Sequence, residues 1–379
     1  MQHVTAEDAQ AWLIDKLATR LSIDPEQVNV EQYFDEFDLD STEALILAGE
    51  LENWLGFELE ATALWYTTRP SPRSPSTSPR RAATVSPLPD RPRAAARPLL
   101  ARLRPAAGHD RSHVYAVHPG ALAASAWAPA AAALPEGAAF GLLDLQLVPE
   151  YFAAVFAPER TVIGIEELAA RCLAELTAAR PADAPFALVG WSFGGVVAFE
   201  MARQAERAGL GELLTDLVLL DSIAPVPDYQ RGEELLEPEM LLRWFAMYLA
   251  AKREQPLDWQ PGPVAERRLP ELLAAATAQG VLPADTELPG LRKLFDTYLA
   301  GLRRNNRFAL AYRPGALDRT ITLLKPADSL LPNDGSLGWD QLSTRPLRHL
   351  DVAGDHYTML RQPANLAVLA ELLAEPAAV

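Results

Sequence analysis

A glycine-rich turn between an apolar strand and a long helix constrains this chain more than any other feature of its sequence. The turn reads GWSFGG over residues 190–195 and joins the apolar letters FALV to the amphipathic run VVAFEMARQAERA. Small residues are needed there, because a Cβ on either side would collide with neighbouring backbone. The motif G-x-S-x-G at a strand-to-helix junction is typical of a sharp turn that exposes a serine hydroxyl. The sequence therefore predicts Ser192 as a candidate nucleophile, the alternative being a turn with an incidental serine.

Around this turn, residues 112–379 alternate short apolar segments with helical ones. That alternation predicts a mostly parallel sheet covered by helices. The predicted strands are Val114–Val117, Phe140–Leu143, Phe186–Val189, Leu217–Leu220, Thr320–Leu324 and Leu347–Val352, and the predicted helices are Ile165–Ala179, Gly194–Ala208 and Asn365–Leu373. The strand pattern stops between about 226 and 305, where three helical stretches predict a lid inserted at one end of the sheet. These stretches are Glu233–Ala250, Val264–Ala278 and Leu288–Arg303.

A nucleophilic serine needs a base, and the chain has six histidines. His356 lies in VAGDHY, on the loop after the last predicted strand and before the last helix. In a sheet of this kind the base comes last along the chain, from that loop. We therefore expect His356 to be the base, against the alternative of a solvated loop histidine. The remaining histidines lie in strands, at the end of the first strand or outside the sheet: His3, His109, His113, His118 and His349.

Two acidic residues at strand ends compete to orient that histidine. Asp221 directly follows the apolar letters LVLL, and Asp328 follows TLLKPA. Both satisfy the rule that functional groups lie beyond the carboxyl ends of parallel strands. Asp328 opens a turn-like run in which aspartate commonly caps the turn. Asp221 is favoured, because an unpaired carboxylate at the end of a buried strand would be costly, but Asp328 stays open.

An oxyanion developing on the substrate would need two backbone N–H donors. One is expected from Phe193, the residue after the candidate nucleophile, and one from a loop after an early strand. The loop His118-Pro119-Gly120-Ala121 fits that description, and Ala121 is the expected second donor. The single cysteine, Cys172, lies within a helix with no such turn around it and is interpreted as a packed core thiol.

Two segments of different composition precede the sheet-forming part of the chain. Residues 1–67 carry fifteen Asp or Glu against two basic residues, and their apolar spacing predicts a small helical bundle. Residues 68–111 carry ten Arg, with nine prolines between Arg69 and Pro105, and predict a disordered linker. Ser41 opens the second predicted helix of the bundle. From the residues alone, a serine at a helix start with acids nearby is ordinary N-capping.

Composition narrows the function classes further. The net charge of -16 argues against nucleic acid as a partner. No run of about 20 apolar residues occurs, so no membrane span is expected, and the start of the chain does not read as a secretory signal. No HExxH motif or His/Cys cluster predicts a metal site. No G-x-G-x-x-G motif follows a strand, which argues against a reductive domain. These features favour a cytoplasmic protein.

Residues 112–379 resemble the terminal thioesterase domains of modular polyketide and nonribosomal peptide synthases, which have an α/β-hydrolase fold with a helical lid. The resemblance is carried by HPG at 118–120, GWSFGG, LVLLDS and GDHYTML. It implies a Ser192-His356-Asp221 triad with Asp221 favoured over Asp328, and oxyanion donors at Phe193 and Ala121. It also implies release of an acyl chain through an acyl-serine, to water or to a group on the substrate itself.

Residues 1–67 resemble an acyl carrier protein domain of the polyketide-synthase type, with Asp40-Ser41 at the start of its second helix. The resemblance implies that Ser41 carries 4'-phosphopantetheine, added by a phosphopantetheinyl transferase. It also implies acyl thioester substrates and upstream synthase modules or carrier domains as partners. The Met start beside a carrier domain favours a terminal subunit. Two other functions remain open: a general serine esterase or lipase with an acidic appendage, and a non-catalytic docking subunit.

Overall fold

The computed structural model describes residues 5–29, 41–59, 98–105, 113–158, 163–229, 237–331 and 333–374. The helices are α1 Ala6–Leu21, α2 Ser41–Leu55, α3 Ala128–Ala133, α4 Pro149–Ala153, α5 Ile165–Ala179, α6 Phe193–Arg207, α7 Pro238–Arg253, α8 Arg268–Ala278, α9 Leu288–Ala311 and α10 Pro363–Ala374. The strands are β1 Leu100–Arg104, β2 His113–His118, β3 Ala139–Asp144, β4 Phe186–Trp191, β5 Leu214–Leu220, β6 Thr322–Asp328 and β7 Arg348–Asp355. The chain divides into two compact units. The first is Met1–Ala96 with Lys252–Leu299, and the second is Arg97–Ala251 with Ala300–Val379.

The second unit is built on one seven-stranded sheet in the order β1-β3-β2-β4-β5-β6-β7. All neighbouring strands are parallel except β1, which pairs antiparallel with β3. Strands β2 and β4 are buried at every position, as expected for strands covered on both faces. The predicted α/β architecture, with a helical insertion between β5 and β6, is confirmed.

Strand β1 was not expected, because Leu100–Arg104 lie inside the segment predicted as a linker. Between Pro98 and Pro105 the sequence reads LLARLR, and Leu100 is the one buried residue of the strand. A short antiparallel strand at the sheet edge needs one apolar face only, so its sequence does not stand out from a basic linker. The rest of the predicted linker, residues 68–97 and 106–111, lies outside the described residues.

The first unit contains the predicted helical bundle. Helix α1 begins at a capping box in which Thr5 and Asp8 each accept from the other's backbone N–H, which satisfies two N–H groups at the helix start. A small core holds α1 against α2 and consists of Leu17, Ala18, Val28, Ala44 and Leu47. Gly56 ends α2 with a φ of 75°, the left-handed conformation that glycine adopts readily. Residues 30–40, between these helices, lie outside the described residues.

Candidate active site

Ser192 lies in a strained turn between β4 and α6. Its φ of 56° and ψ of -130° fall outside the regions that L-residues ordinarily occupy. Such strain is kept only where the surrounding structure enforces it, and it concentrates at functional sites. The side chain is partly exposed although both neighbours are buried. The turn therefore presents the Ser192 hydroxyl at the carboxyl edge of the sheet.

The three glycines of the turn allow backbone segments to approach closely. A Cβ on Gly190 would lie 2.4 Å from the Cα of Gly195, and one on Gly194 would lie 2.2 Å from the carbonyl oxygen of Val117. A Cβ on Gly195 would lie 2.3 Å from the Ser222 hydroxyl. Because the first two neighbours are backbone atoms, no side-chain rotation can relieve the contact. The glycines are therefore required by packing.

His356 lies just beyond β7 and contacts Asp221 directly. Its Nδ1 is 2.7 Å from Oδ2 of Asp221, and both side chains are buried. An ionised carboxylate at Nδ1 keeps the proton on that nitrogen, which leaves Nε2 as the acceptor of the ring. Trp191, the residue before Ser192, donates from Nε1 to the carbonyl oxygen of His356 at 2.9 Å, and the two rings are 5.2 Å apart. These contacts hold the imidazole beside the strained turn.

Asp221 follows β5 and is itself held by two donors. The Ser329 hydroxyl donates to Oδ1 at 2.6 Å, and the Leu330 N–H donates to Oδ2 at 3.3 Å. The other candidate, Asp328, is exposed and pairs with Arg243 at 3.3 Å. The structure therefore brings Asp221, and not Asp328, to His356. Ser329 was missed by sequence analysis, because its role depends on β6 lying beside β5.

The loop after β2 packs against the start of α6. A Cβ on Gly194 would lie 3.3 Å from Cδ of Pro119, so this loop lies directly beside the first turn of α6. Gln146 donates from Nε2 to the carbonyl oxygen of Gly120 at 2.7 Å. Gly120 has a φ of 102° and no room for a Cβ beside that amide. Ala121 follows on the same loop and is exposed.

Tyr151 contacts both the loop after β2 and the start of α6. Its hydroxyl lies 3.1 Å from the carbonyl oxygen of Pro119, and its ring stacks on Phe193 at 5.9 Å. Arg304 anchors it from α9, donating to the hydroxyl at 2.6 Å with the guanidinium 3.6 Å from the ring centroid. Burial raises the pKa of Tyr151 to about 12, so the hydroxyl stays protonated at neutral pH. Tyr151 was not found from the sequence, where it is one aromatic residue in a helical turn.

The three other described histidines make packing or surface contacts. His118 accepts at Nδ1 from Trp127 at 3.1 Å, and its Nε2 lies 2.9 Å from the carbonyl oxygen of Leu122. Burial, with Arg180 nearby, lowers the pKa of His113. His349 lies 3.3 Å from Asp351 at the surface. The remaining two, His3 and His109, lie outside the described residues.

Cys172 is buried in α5, and burial raises the pKa of its thiol to about 12. A thiol of this kind is inert at neutral pH. Across the described ranges, no three His, Cys, Asp or Glu side chains are arranged to hold a metal ion. Within the same ranges, no helix is long and apolar enough to cross a membrane.

Ser41 is the first residue of α2, as the sequence predicted, while Asp40 lies outside the described residues. The first N–H groups of a helix are free of intrahelical partners and favour a phosphate group. The backbone at Ser41 therefore fits a phosphodiester-linked prosthetic group.

Comparison with protein families assigns both parts of the chain. Residues 112–373 match the family model described as thioesterase domain, and residues 11–74 match the one described as phosphopantetheine attachment site. The non-reducing polyketide synthase Preu8 of Preussia isomera is 31% identical over 139 residues, which are 34% of this chain and 6% of that protein. The non-reducing polyketide synthase ntnG of a Nectria species is 26% identical over 210 residues, 54% of this chain and 10% of that protein.

A solved structure is similar over nearly the whole chain. It is the holo form of AB3403, a four-domain nonribosomal peptide synthetase bound to AMP and glycine, with 25% identity and a TM-score of 0.50. The match covers 96% of this chain and 25% of that one. The chain spans a small part of the length of each of these proteins. The chain carries an N-terminal phosphopantetheine carrier domain, and it belongs to the thioesterase domain family.

Proposed function

We propose that this chain releases an acyl chain from a phosphopantetheine thioester through an acyl-serine at Ser192. The observation that carries the proposal is the buried His356–Asp221 pair, 2.7 Å apart, beside a serine in a strained strand-to-helix turn. A buried carboxylate on Nδ1 is the arrangement that makes an imidazole a base toward a neighbouring hydroxyl. The thioesterase and carrier family matches support the same reaction.

His356 removes the proton from the Ser192 hydroxyl as the oxygen attacks the thioester carbonyl. Asp221 keeps the Nδ1 proton in place and stabilises the imidazolium that forms. The N–H groups of Phe193 and Ala121 stabilise the oxyanion, with the positive end of α6 adding to the local potential. The C–S bond then breaks, and His356 returns its proton to the departing thiolate.

In the second half of the reaction, His356 activates the nucleophile that attacks the acyl-serine. Water gives a free acid, and a hydroxyl or amine of the acyl chain gives a lactone or lactam. Ser192 then recovers its proton from His356 as the ester bond breaks. Since two relatives are polyketide synthases by name, we propose a polyketide as the acyl chain, and upstream synthase modules as its source.

Ser41 is proposed as the attachment site on the carrier domain. When bound there, the phosphopantetheine arm supplies a terminal thiol on which the acyl chain is held as a thioester. Helix α2 begins at Ser41, so the backbone N–H groups of its first turn would meet the phosphate. A phosphopantetheinyl transferase is the partner that this modification requires.

Intact-protein mass spectrometry tests this proposal. The carrier is loaded with a series of acyl-phosphopantetheine groups, and the acyl mass is followed over time. Wild type is expected to lose it, whereas Ser192→Ala keeps it, and Ser41→Ala is never loaded. Equal loss from wild type and Ser192→Ala would exclude Ser192 chemistry, and loading of Ser41→Ala would exclude Ser41 as the attachment site.

A further inference from the structure

Within the first unit, helix α2 of the carrier domain packs on residues of the insertion between β5 and β6. We call this contact the carrier-docking surface. It joins Ile46, Gly49 and Glu50 of α2 to Gly290 and Lys293 of α9. All of these residues belong to the same compact unit.

Two glycines allow α2 and α9 to approach closely. A Cβ on Gly290 would lie 2.7 Å from the carbonyl oxygen of Ile46, and one on Gly49 would lie 2.6 Å from the carbonyl oxygen of Pro289. Backbone atoms cannot rotate away, so side chains at these positions would push the helices apart. Ile46 is fully buried. The backbones of α2 and α9 therefore pack closely at these two glycines.

Glu50 is the centre of the polar part of the surface. Its side chain is fully buried, and it accepts from the N–H of Glu287, at the start of α9, at 2.9 Å. Lys16 and Arg20 of α1 neutralise it at 2.9 Å and 3.3 Å. A negative charge at a helix start is stabilising, and a buried charge persists only when it is paired. Glu50 is therefore paired within the carrier by Lys16 and Arg20, and its hydrogen bond to the start of α9 joins that ion cluster to the insertion.

The remaining charges of the surface are also matched in sign. Lys293 of α9 lies 2.9 Å from Glu52 of α2. Arg20 of the carrier lies 3.4 Å from Asp285, just before α9. Each side thus contributes both signs, in positions that only a carrier with the same pattern would match. Such complementarity gives specificity for one partner.

We propose that the carrier-docking surface recognises this chain's own carrier domain and makes it the preferred acyl donor over carriers on other chains. The inference rests on the proposed release function. A linker alone would raise the local concentration of the carrier without choosing its orientation. The close helix crossing and the buried Glu50 add a defined pose to that tether.

Full-length chains that each lack one activity test the preference. A loaded Ser192→Ala chain is the donor, and a Ser41→Ala chain supplies the thioesterase, so their mixture measures release between chains. Wild type, loaded on itself, measures release within one chain. At micromolar concentration we expect release within a chain to be at least about tenfold faster, as tethering and docking together predict.

Variants of one ion pair then separate docking from tethering. Lys293→Glu places two carboxylates together and is expected to slow release within a chain about threefold or more. The exchanged pair Glu52→Lys/Lys293→Glu is the matched control and is expected to restore the rate. Gly290→Leu is expected to act like Lys293→Glu, and none of these changes should alter turnover of a small-molecule thioester.

A chemical cross-link reports the pose without depending on catalysis. Glu52→Cys/Lys293→Cys is expected to form an intramolecular link with a short bifunctional reagent, and adding Gly290→Leu should reduce its yield. The native Cys172 is buried and unreactive, so it does not compete.

The outcomes distinguish this inference from the proposed function. Wild type that turns over no thioester at all contradicts the release function. Wild type that releases its chain while Lys293→Glu and Gly290→Leu match it, or release faster, contradicts the docking inference and leaves the release function standing. If Gly290→Leu abolishes the cross-link but the chain still prefers its own carrier as acyl donor, the inference is contradicted too.

Discussion

Asp221 shows how much of the proposed chemistry depends on one buried carboxylate. It contacts Nδ1 of His356 at 2.7 Å and receives hydrogen bonds from Ser329 and the Leu330 backbone. Asp221→Asn keeps the size of the side chain but puts an amide donor where an acceptor is needed, which favours the wrong tautomer of His356. We expect kcat for thioester hydrolysis to fall about 10³- to 10⁴-fold.

The matched control for that change is Asp328→Asn. Asp328 is exposed, and its ion pair with Arg243 is exposed too, so its loss should change kcat less than about twofold. Kinetics on a small-molecule acyl thioester, at one pH for both variants, make the comparison. If Asp328→Asn were the inactive variant, the assignment of Asp221 would be wrong.

Gln146 is expected to act through the loop after β2, which carries the proposed oxyanion donor Ala121, and not on the substrate. Its side chain is exposed apart from its hydrogen bond to the Gly120 carbonyl. Gln146→Ala should loosen the loop and lower kcat about three- to tenfold with KM unchanged, which is less than removal of an oxyanion donor itself would cost. The exposed neighbour Leu147 provides the control, and Leu147→Ala should leave kcat unchanged. Equal kinetics for both variants would remove Gln146 from the account.

At the scale of elements, the sequence predicted the six parallel strands and missed the antiparallel one. Strands β2 and β4 are apolar runs bounded by turns, and burial on both faces requires such runs. Strand β1 has arginine at two of its five positions, and its pairing with β3 is a nonlocal contact. The pattern of apolar residues along the chain indicates whether a segment is buried, but it does not indicate which other segment pairs with it.

The same distinction applies to the candidate site. Ser192 and His356 lie in local patterns that predict their surroundings, and Asp221 was favoured over Asp328 on grounds of burial. The assignment of Ser41 as the attachment site stays a prediction, as do the roles of the triad and of Phe193 and Ala121. Ser329 and Tyr151 have no local pattern, because they reach the site across neighbouring strands and helices.

Alanine substitution at two glycines of α9 is expected to change the stability of the protein in opposite directions. A Cβ added to Gly301 would meet no other atom of the described residues within 4 Å, whereas one added to Gly290 would lie 2.7 Å from the carbonyl oxygen of Ile46. Gly301→Ala should stabilise the protein by about 0.5–1 kcal/mol, because alanine restricts the unfolded chain and favours the helix. Gly290→Ala should destabilise it, because its Cβ would overlap a carbonyl oxygen. Differential scanning calorimetry of both variants tests this, and a lower Tm for Gly301→Ala would contradict it.

At the scale of the whole molecule, the buried Glu200 of α6 makes stability depend on acid pH. Burial alone would raise its pKa, but hydrogen bonds from Tyr312, Gln204 and Arg203 outweigh burial, so the pKa is lowered. The carboxylate therefore contributes its full stability above the unfolded pKa of about 4.5, and loses it as pH falls through the lower folded pKa. The hydrogen bond between Tyr312 and Glu200 joins the end of α9 to α6.

Glu200→Gln is expected to cost about 2–4 kcal/mol at neutral pH, because Arg203 loses its buried partner. Below pH 4.5 the variant should lose less stability than wild type, since its amide does not titrate. The control is Glu206→Gln, which alters a partly exposed pair with Arg319 and should cost less than about 1 kcal/mol. Thermal unfolding between pH 3 and 7 measures both variants. Parallel pH profiles for wild type and Glu200→Gln would contradict the assignment.

The release of an acyl chain through Ser192 is tested most directly by locating the covalent intermediate. A full-length chain is mixed with an acyl thioester, quenched in acid within the first turnover, digested and mapped by mass spectrometry. The account predicts the acyl mass on the peptide containing Ser192, and no acylated peptide from that region in Ser192→Ala. An acyl group found on a different side chain, or unchanged turnover by Ser192→Ala, would contradict it.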